Sequence, residues 1–110
     1  MEINLTSKYA AEELKAKQTL MMVMDPELGI NVLDLGLIYS LDFSKANKLI
    51  VEMTLTTPAC PMAETILLGV ERSLKNTFSD KEIIIQLVWD PEWNIDRMTQ
   101  EGRDELNKKS

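Results

Sequence analysis

The spacing of hydrophobic positions changes along the chain, and each change marks a boundary between predicted elements. Residues 8–24 carry apolar side chains at helical spacing, four of them near one face: Ala10, Leu14, Met21 and Met24. Thr6 or Ser7 can cap such a helix. Pro26 ends it, because the residue before a proline avoids the helical region. This pattern predicts a first helix over residues 8–24.

The segments on either side of this helix carry no regular pattern. Residues 1–7 are predicted to form a flexible leader, and residues 8–110 a single domain. Residues 25–36 predict a loop with a short extended piece. Gly29 and Gly36 are the expected positions of positive φ in this loop, since glycine has no Cβ to resist it.

A hairpin is predicted next, because apolar and polar residues alternate in two runs. The first run covers residues 37–43, and the polar residues 44–47 follow it. The second run covers residues 50–57, with Val51, Met53 and Leu55 on its apolar side. Two alternating runs joined by a short polar turn are typical of a hairpin with one buried face.

The remaining pattern predicts a helix, a strand and a short polar helix. Residues 61–76 carry a stripe at steps of four: Met62, Ile66, Val70 and Leu74, widened by Leu67. Residues 82–89 alternate again, with one side formed by Ile83, Ile85 and Leu87. Residues 90–94 predict a turn, and residues 99–106 a short polar helix.

The order of these elements predicts the fold class. A helix, a strand pair, a helix and a strand favour an α/β (α+β) fold. Its sheet would be small and mixed, with three to four strands, and two main helices would pack on one face of it. Two amphipathic helices can bury their apolar stripes most simply in this two-layer arrangement.

Net charge and length exclude several classes of partner. The chain has 110 residues, with 12 Lys and Arg against 18 Asp and Glu, which gives a net charge of −6. Nucleic-acid binding needs a basic surface, so no nucleic-acid partner is expected. An anionic membrane surface is excluded for the same reason. The apolar runs are also too short for a membrane span.

The absence of histidine and the single cysteine restrict the chemistry further. Without histidine this chain cannot build a Ser-His-Asp triad, a Cys-His dyad or a histidine-ligated zinc site. One cysteine cannot form an intrachain disulfide, which favours a reducing, cytoplasmic location. These common catalytic arrangements are therefore excluded for the chain alone.

Cys60 is the side chain most suited to metal binding or nucleophilic chemistry. It follows Pro58 and Ala59 and directly precedes Pro61, where a predicted strand ends and a predicted helix begins. Pro61 suits the first helical position, which makes Cys60 the predicted N-cap. Free N–H groups at a helix start lower the pKa of a thiol and favour thiolate. The alternative is a small, buried and inert side chain, and both interpretations stay open.

A thiolate without histidine favours metal binding over nucleophilic catalysis. Only carboxylates are available as bases, and a carboxylate beside a thiol raises the pKa of that thiol. One thiolate with carboxylates and threonine hydroxyls can hold iron weakly, leaving positions for a partner's ligands. The threonines before Cys60 are either an exposed strand face or a polar rim of such a site: Thr54, Thr56 and Thr57. Trp89 and Trp93 are expected to cover an edge of the core, or to mark an interface.

Three segments resemble the metal–sulfur cluster assembly factors of the SufT/PaaD-like group. Residues 25–39 (DPELGINVLDLGLIY) resemble the opening motif of that family, here called the first motif. Residues 53–62 (MTLTTPACPM) resemble its central motif, and residues 88–93 (VWDPEW) its third motif. The order and spacing also agree, so the resemblance covers nearly the whole chain.

This resemblance implies a fold, a function and a site. The fold would be similar to the carboxy-terminal domain of NifU-type scaffolds, and the function would be maturation of iron–sulfur proteins by a factor that is not an enzyme. The implied metal or cluster ligands are Cys60, Asp25 and Asp34, and the alternative for Asp34 is a purely structural role as a cap or turn acceptor. The implied rim of the site is formed by Glu27, Thr56 and Thr57. A transient iron or iron–sulfur cluster would be shared with a partner, and the monomer would hold none stably.

The resemblance also implies partners and leaves alternatives. Iron–sulfur assembly proteins and client apoproteins are the expected partners, and a homodimer is compatible with the pattern. A first alternative is an accessory subunit of a multicomponent aromatic-ring oxygenase, as in the PaaD-like branch, which usually adds a cysteine-rich tail that is absent here. A second alternative is a plain protein-interaction domain in which Cys60 is inert.

Overall fold

The computed structural model describes residues 9–57 and 61–108. Its helices are α1 (Ala10–Leu20), α2 (Ala63–Thr77) and α3 (Gln100–Lys108). Its strands are β1 (Met24–Asp25), β2 (Ile30–Asn31), β3 (Ile38–Asp42), β4 (Lys48–Met53) and β5 (Glu82–Leu87), and a single 3₁₀ turn over Ile95–Arg97 precedes α3. None of the helices in the described part of the chain is both long and apolar enough to cross a bilayer.

The main sheet has the order β3-β4-β5, and it is mixed as predicted. β3 and β4 are antiparallel neighbours, so they form the expected hairpin. β4 and β5 are parallel, with Leu49 beside Ile83 and Val51 beside Ile85. Parallel strands need a long crossover, and α2 provides it. β1 and β2 form a separate antiparallel ladder within the first motif.

The core lies between the sheet and the helices. Val51 and Met53 of β4, with Leu55 beyond its end, are buried, which confirms the predicted apolar side of the second run. The predicted stripe of α2 is also confirmed, because its central residues are buried: Ile66, Val70 and Leu74. At the end of α2, Phe78 meets Phe43 edge to face at a centroid distance of 5.4 Å. The second helix and the hairpin therefore pack as their patterns predict.

The predicted buried face of the first helix is wrong. Ala16 and Leu20 are its buried residues, whereas Leu14, Met21 and Met24 are 46–49% exposed. The helix ends at Leu20, and the chain then turns so that Val23 reaches the core near Gly69 of α2. The predicted helix includes residues 21–24, which are not helical. Counting Met21 and Met24 in the helical period therefore identifies the wrong buried face.

The first run of the hairpin departs from strict alternation. Ile38 and Leu41 both pair with buried residues of β4, Met53 and Val51, because the register shifts between Ile38 and Ser40. Leu37, just before the strand, is buried as well. Such a bulge adds a residue to one strand and interrupts its period. In the turn that follows β3, the hydroxyl and the N–H of Ser44 donate to Asp42 and lower the pKa of that carboxyl. The hairpin is thus confirmed, with a bulge that the pattern did not predict.

The last elements agree with the sequence pattern in kind. β5 covers six of the predicted residues, and α3 takes the place of the predicted polar helix. Ile83 and Ile85 pack against the core, but Leu87 on the same side is 38% exposed. Within the first motif, Gly29 and Gly36 have φ values of 66° and 77°, as predicted. The predicted leader lies outside the described residues.

Candidate functional site

The segment that contains Cys60 joins the end of β4 to the start of α2. Residues 58–60 lie outside the described residues, so both interpretations of Cys60, a reactive thiolate and an inert buried side chain, stay predictions. The N-cap of α2 is Met62, whose carbonyl accepts the N–H of Ile66 at 3.0 Å. The prediction that Cys60 is the N-cap is therefore wrong by two positions. Pro61 and Met62 form a turn before the helix, so the free N–H groups begin at Ala63.

The threonines of the central motif differ in their surroundings. Thr54 is fully buried, and its N–H donates to the carbonyl of Leu37 at 2.9 Å. The interpretation of Thr54 as part of an exposed strand face is wrong, because the chain leaves β4 there and folds against the first motif. Thr56 is half-buried and Thr57 is exposed. These last two have the accessibility that a rim of a site requires.

Asp25 forms the turn at the start of the first motif. The side chain is only 4% exposed, and its Oδ1 accepts the N–H groups of Glu27 at 2.8 Å and Leu28 at 3.1 Å. Its carbonyl accepts the N–H of Gly29 at 2.7 Å. Aspartate commonly forms such turns, because its short side chain reaches the backbone two residues on. Asp25 therefore shapes the loop and leaves the Glu27 side chain exposed.

Asp34 joins the first motif to α3. Its Oδ2 accepts the side-chain amide of Asn31 at 2.7 Å, and its Oδ1 accepts the hydroxyl of Thr99 at 2.9 Å. Its carbonyl accepts the N–H of Thr99 at 2.9 Å. The Thr99 hydroxyl in turn accepts the N–H of Gly102 at 3.0 Å, which satisfies a free donor at the start of α3. Asp34 thus has a complete structural role.

Asp34→Asn is expected to lower the free energy of unfolding by about 1–2 kcal/mol, since an amide N–H₂ replaces one of two accepting oxygens. Asn31 cannot simply turn its amide round, because its Oδ1 accepts the N–H of Asp34 at 2.8 Å. Chemical denaturation measures the loss. The matched control is Asp104→Asn, an exposed residue of α3 whose Oδ1 accepts the side-chain amide of Gln100 at 2.9 Å. This variant should change stability by less than about 0.5 kcal/mol.

Asp34→Asn also distinguishes a structural role of Asp34 from a role as a metal ligand. If Asp34 only positions the loop, the folded Asn variant retains its biological activity at a permissive temperature. Unchanged stability with lost activity would contradict the positioning role, and it would favour the carboxylate as a ligand.

The third motif is bound to the first, a connection that the sequence did not predict. The indole N–H of Trp93 donates to the carbonyl of Leu35 at 2.7 Å, and the hydroxyl of Tyr39 donates to the carbonyl of Pro91 at 2.8 Å. The guanidinium of Arg97 lies 4.7 Å from the ring centre of Tyr39. The sequence signal was the presence of a Trp and a Tyr, each with a donor that needs a partner.

The two tryptophans therefore have different roles. Trp93 is half-buried and packs against the core, which confirms the prediction for that residue. Trp89 is 43% exposed, so the prediction that it covers the core is wrong. Trp89 lies just beyond the end of β5, where the chain leaves the sheet. The other interpretation of Trp89, a residue at an interface with a partner, stays a prediction.

The carboxylates do not form a metal site by themselves. Within residues 9–57 and 61–108, no three side chains of His, Cys, Asp or Glu are grouped so that they could hold a metal ion. Asp34 faces a shallow groove of about 200 Å³ together with Glu101 and Glu105 of α3. Asp25 lies in the neighbouring strand pair. Among the residues that the structure describes, these carboxylates alone therefore provide no metal site.

Comparison with known sequences places the chain in a family. The family model described as iron–sulfur cluster assembly protein matches residues 14–84. An Fe-S protein maturation auxiliary factor of Porphyromonas gingivalis is 37% identical over 102 residues, covering 93% of this chain and 97% of that protein. The Fe-S protein maturation auxiliary factor SufT of Staphylococcus aureus is 37% identical over 79 residues, covering 72% of this chain and 90% of that protein.

Solved structures agree with this result. A domain of unknown function (DUF59) from Bacillus anthracis has a TM-score of 0.82 and 35% identity, covering 88% of this chain and 92% of that one. A conserved hypothetical protein of Thermotoga maritima has a TM-score of 0.74 and 33% identity, covering 96% and 98%. The fold and the sequence lead to the same conclusion: the chain belongs to the family of iron–sulfur cluster assembly proteins.

Proposed function

We propose that this protein is an auxiliary factor in the maturation of iron–sulfur proteins and catalyses no reaction itself. The observation that carries this proposal is the match to the Porphyromonas gingivalis maturation factor over 93% of the chain, which includes all three motifs. The absence of histidine is in accord with a role in binding and transfer, since the common acid–base residue near neutral pH is missing.

Cys60 is the ligand in this proposal. It is the only soft ligand of the thiolate type in the chain, and thiolate is the ligand that iron–sulfur clusters prefer. Iron or a cluster would pass through as cargo, bound to Cys60 for a limited time. In the sequence, Cys60 precedes Met62, the N-cap of α2, by two residues.

The carboxylates have a supporting role in the proposal. Both oxygens of Asp34 already accept hydrogen bonds, so a metal ion would have to displace Asn31 or Thr99. Asp25 holds the turn that carries Glu27. We therefore assign Asp25 and Asp34 to the positioning of the first motif, with ligation only after these contacts break. Glu27, Thr56 and Thr57 form the accessible rim.

A single thiolate has a direct consequence for cluster binding. We expect that the monomer alone does not hold a four-iron cluster, because such clusters generally take four ligands that are mostly thiolate. Anaerobic reconstitution with iron and sulfide, followed by sizing and iron analysis of each fraction, measures this. Added glutathione is the matched control, since free thiols can supply missing ligands. A cluster on a strictly monomeric species without added thiol would contradict the expectation.

The partners follow from the same chemistry. Iron–sulfur assembly proteins would supply the cargo and client apoproteins would receive it, each offering its own thiolates. A reducing compartment keeps Cys60 as a free thiol, so we place this activity in the cytoplasm. The net charge of −6 gives no basis for a nucleic-acid partner.

Cluster occupancy of client proteins tests the proposed function. Iron–sulfur enzymes are purified anaerobically from cells that lack the protein, and their iron and sulfide contents are compared with those from complemented cells. We expect lower occupancy without the protein, unchanged amounts of the client polypeptides, and recovery on complementation. Equal occupancy in both strains, under iron-replete and iron-poor growth, would overturn the proposal.

A further inference from the structure

β5 forms an open edge of the main sheet. Within the described ranges 9–57 and 61–108, it pairs only with β4. The N–H groups of Glu82 and Val88 donate to Asn47 and Met53, each at 2.8 Å. In a parallel pair, the residues that bond to the neighbour alternate along the strand, so the even-numbered residues of β5 face β4. The backbone groups of Ile83, Ile85 and Leu87 therefore point outward from the sheet.

This edge lacks the features that usually prevent strand pairing. It contains no proline, no lysine and no bulge, and its register with β4 is continuous over all six residues. Ile83, Ile84 and Ile85 are each only partly buried. The opposite edge is different, since β3 is interrupted by a bulge and its Tyr39 is bound to Pro91. The unprotected strand is thus confined to one side of the sheet.

We propose that β5 binds β5 of a second copy of this chain, in antiparallel register about a two-fold axis at Ile84. In this register Ile83 lies opposite Ile85 of the partner subunit, and the two residues exchange both backbone hydrogen bonds. Their outward-pointing N–H and C=O groups are the ones that β4 leaves unpaired. The two three-stranded sheets then continue as one sheet across the contact.

In this register the side chains of β5 are complementary to those of β5 in the second copy. Ile84 meets its own copy, and Glu82 lies opposite Gln86 of the partner subunit, where the amide can donate to the carboxylate. No two like charges face each other, which matters for a chain with a net charge of −6. Moving the axis to Ile85 would instead place Ile84 opposite Gln86, and Glu82 opposite Val88. The charge and size pattern therefore favours the axis at Ile84 and a second copy as the occupant.

A charge swap at the axis tests this arrangement in solution. We expect wild-type protein to show a dimer that dissociates on dilution in analytical ultracentrifugation. Ile84→Lys or Ile84→Glu alone places like charges opposite each other and should weaken dimerisation at least about tenfold. A mixture of the two variants should recover the dimer, because Lys then meets Glu. Thermal melting of each variant confirms that the monomers are folded.

Disulfide trapping provides a second test that needs no charged substitution. In the Cys60→Ser background, Ile84→Cys places two thiols at a non-hydrogen-bonded pair, where the Cα separation of about 4.5 Å suits a disulfide. Gln86→Cys is the control, because its two copies lie about four residues apart along the strands. Crosslinking at position 84 alone supports the proposal. A wild-type monomer at every concentration, no recovery in the mixture, or equal crosslinking at 86 would overturn it.

Discussion

Cys60→Ser is expected to reduce cluster occupancy of the client proteins to the level of cells that lack the protein, while the variant remains folded. Serine has nearly the same size but is a poor ligand for iron, which clusters bind mainly through thiolate. The N-cap of α2 is Met62, so the substitution leaves the N-cap residue of that helix unchanged. Iron and sulfide analysis of purified clients gives the functional result, and circular dichroism melting gives the stability.

A second variant tests whether the thiol must be at position 60 or can be anywhere in the chain. The double variant Cys60→Ser, Ser79→Cys returns one thiol to the chain at an exposed site beyond the far end of α2. We expect it to be as inactive as Cys60→Ser, because the proposed transfer needs the thiol in the central motif. Normal occupancy with the single serine variant would end the ligand assignment, and the plain interaction domain would then explain the family role better.

Gly36→Ala is expected to be the most destabilising single change in the first motif. Gly36 has a φ of 77°, and a Cβ there would collide with the backbone carbonyl of Arg97. Backbone cannot move aside as a flexible side chain can, so we expect a loss of about 2–4 kcal/mol in unfolding free energy. That corresponds to a fall in Tm on the order of 10–20 °C for a domain of this size, measurable by calorimetry.

Gly69→Ala is the matched control for this prediction. It lies inside α2 with helical φ, and its Cβ would be 3.3 Å from Cγ1 of Val23, a side chain that can shift slightly. The better helix propensity of alanine offsets this tight contact, so we expect a change within about 1 kcal/mol. Equal effects at both glycines would show that the contact between Gly36 and Arg97 is not what constrains position 36.

The elements best predicted from the sequence are those in which the buried face is set locally. In α2, the step of four from Met62 to Leu74 identifies the buried stripe without any knowledge of its partner. The second strand of the hairpin behaves in the same way. In α1 the pattern failed, because where the helix ends depends on Val23 reaching the core at Gly69, a contact made with a distant element. Local periodicity carries no information about that contact.

The candidate site could be predicted only in part, for the same physical reason. The motif around Cys60 is a local feature of the sequence, and the role of its cysteine stays a prediction. The hydrogen bond from Thr99 to Asp34 joins residues 65 positions apart, and that from Trp93 to Leu35 joins residues 58 positions apart. No spacing rule connects such pairs. Asp34 is therefore predicted as a ligand candidate, although the nearby Asn31 and the distant Thr99 each donate to one of its carboxylate oxygens.

The contacts of the first motif with Trp93 and Thr99 have a consequence for folding during synthesis. During synthesis, α1, the hairpin and α2 can assemble as soon as they leave the ribosome, since their packing needs only the preceding chain. The loop held by Asp34 and Leu35 waits for Thr99 and Trp93, which are made near the end of translation. A nascent chain can therefore gain much of its core before the loop of the first motif acquires a fixed shape.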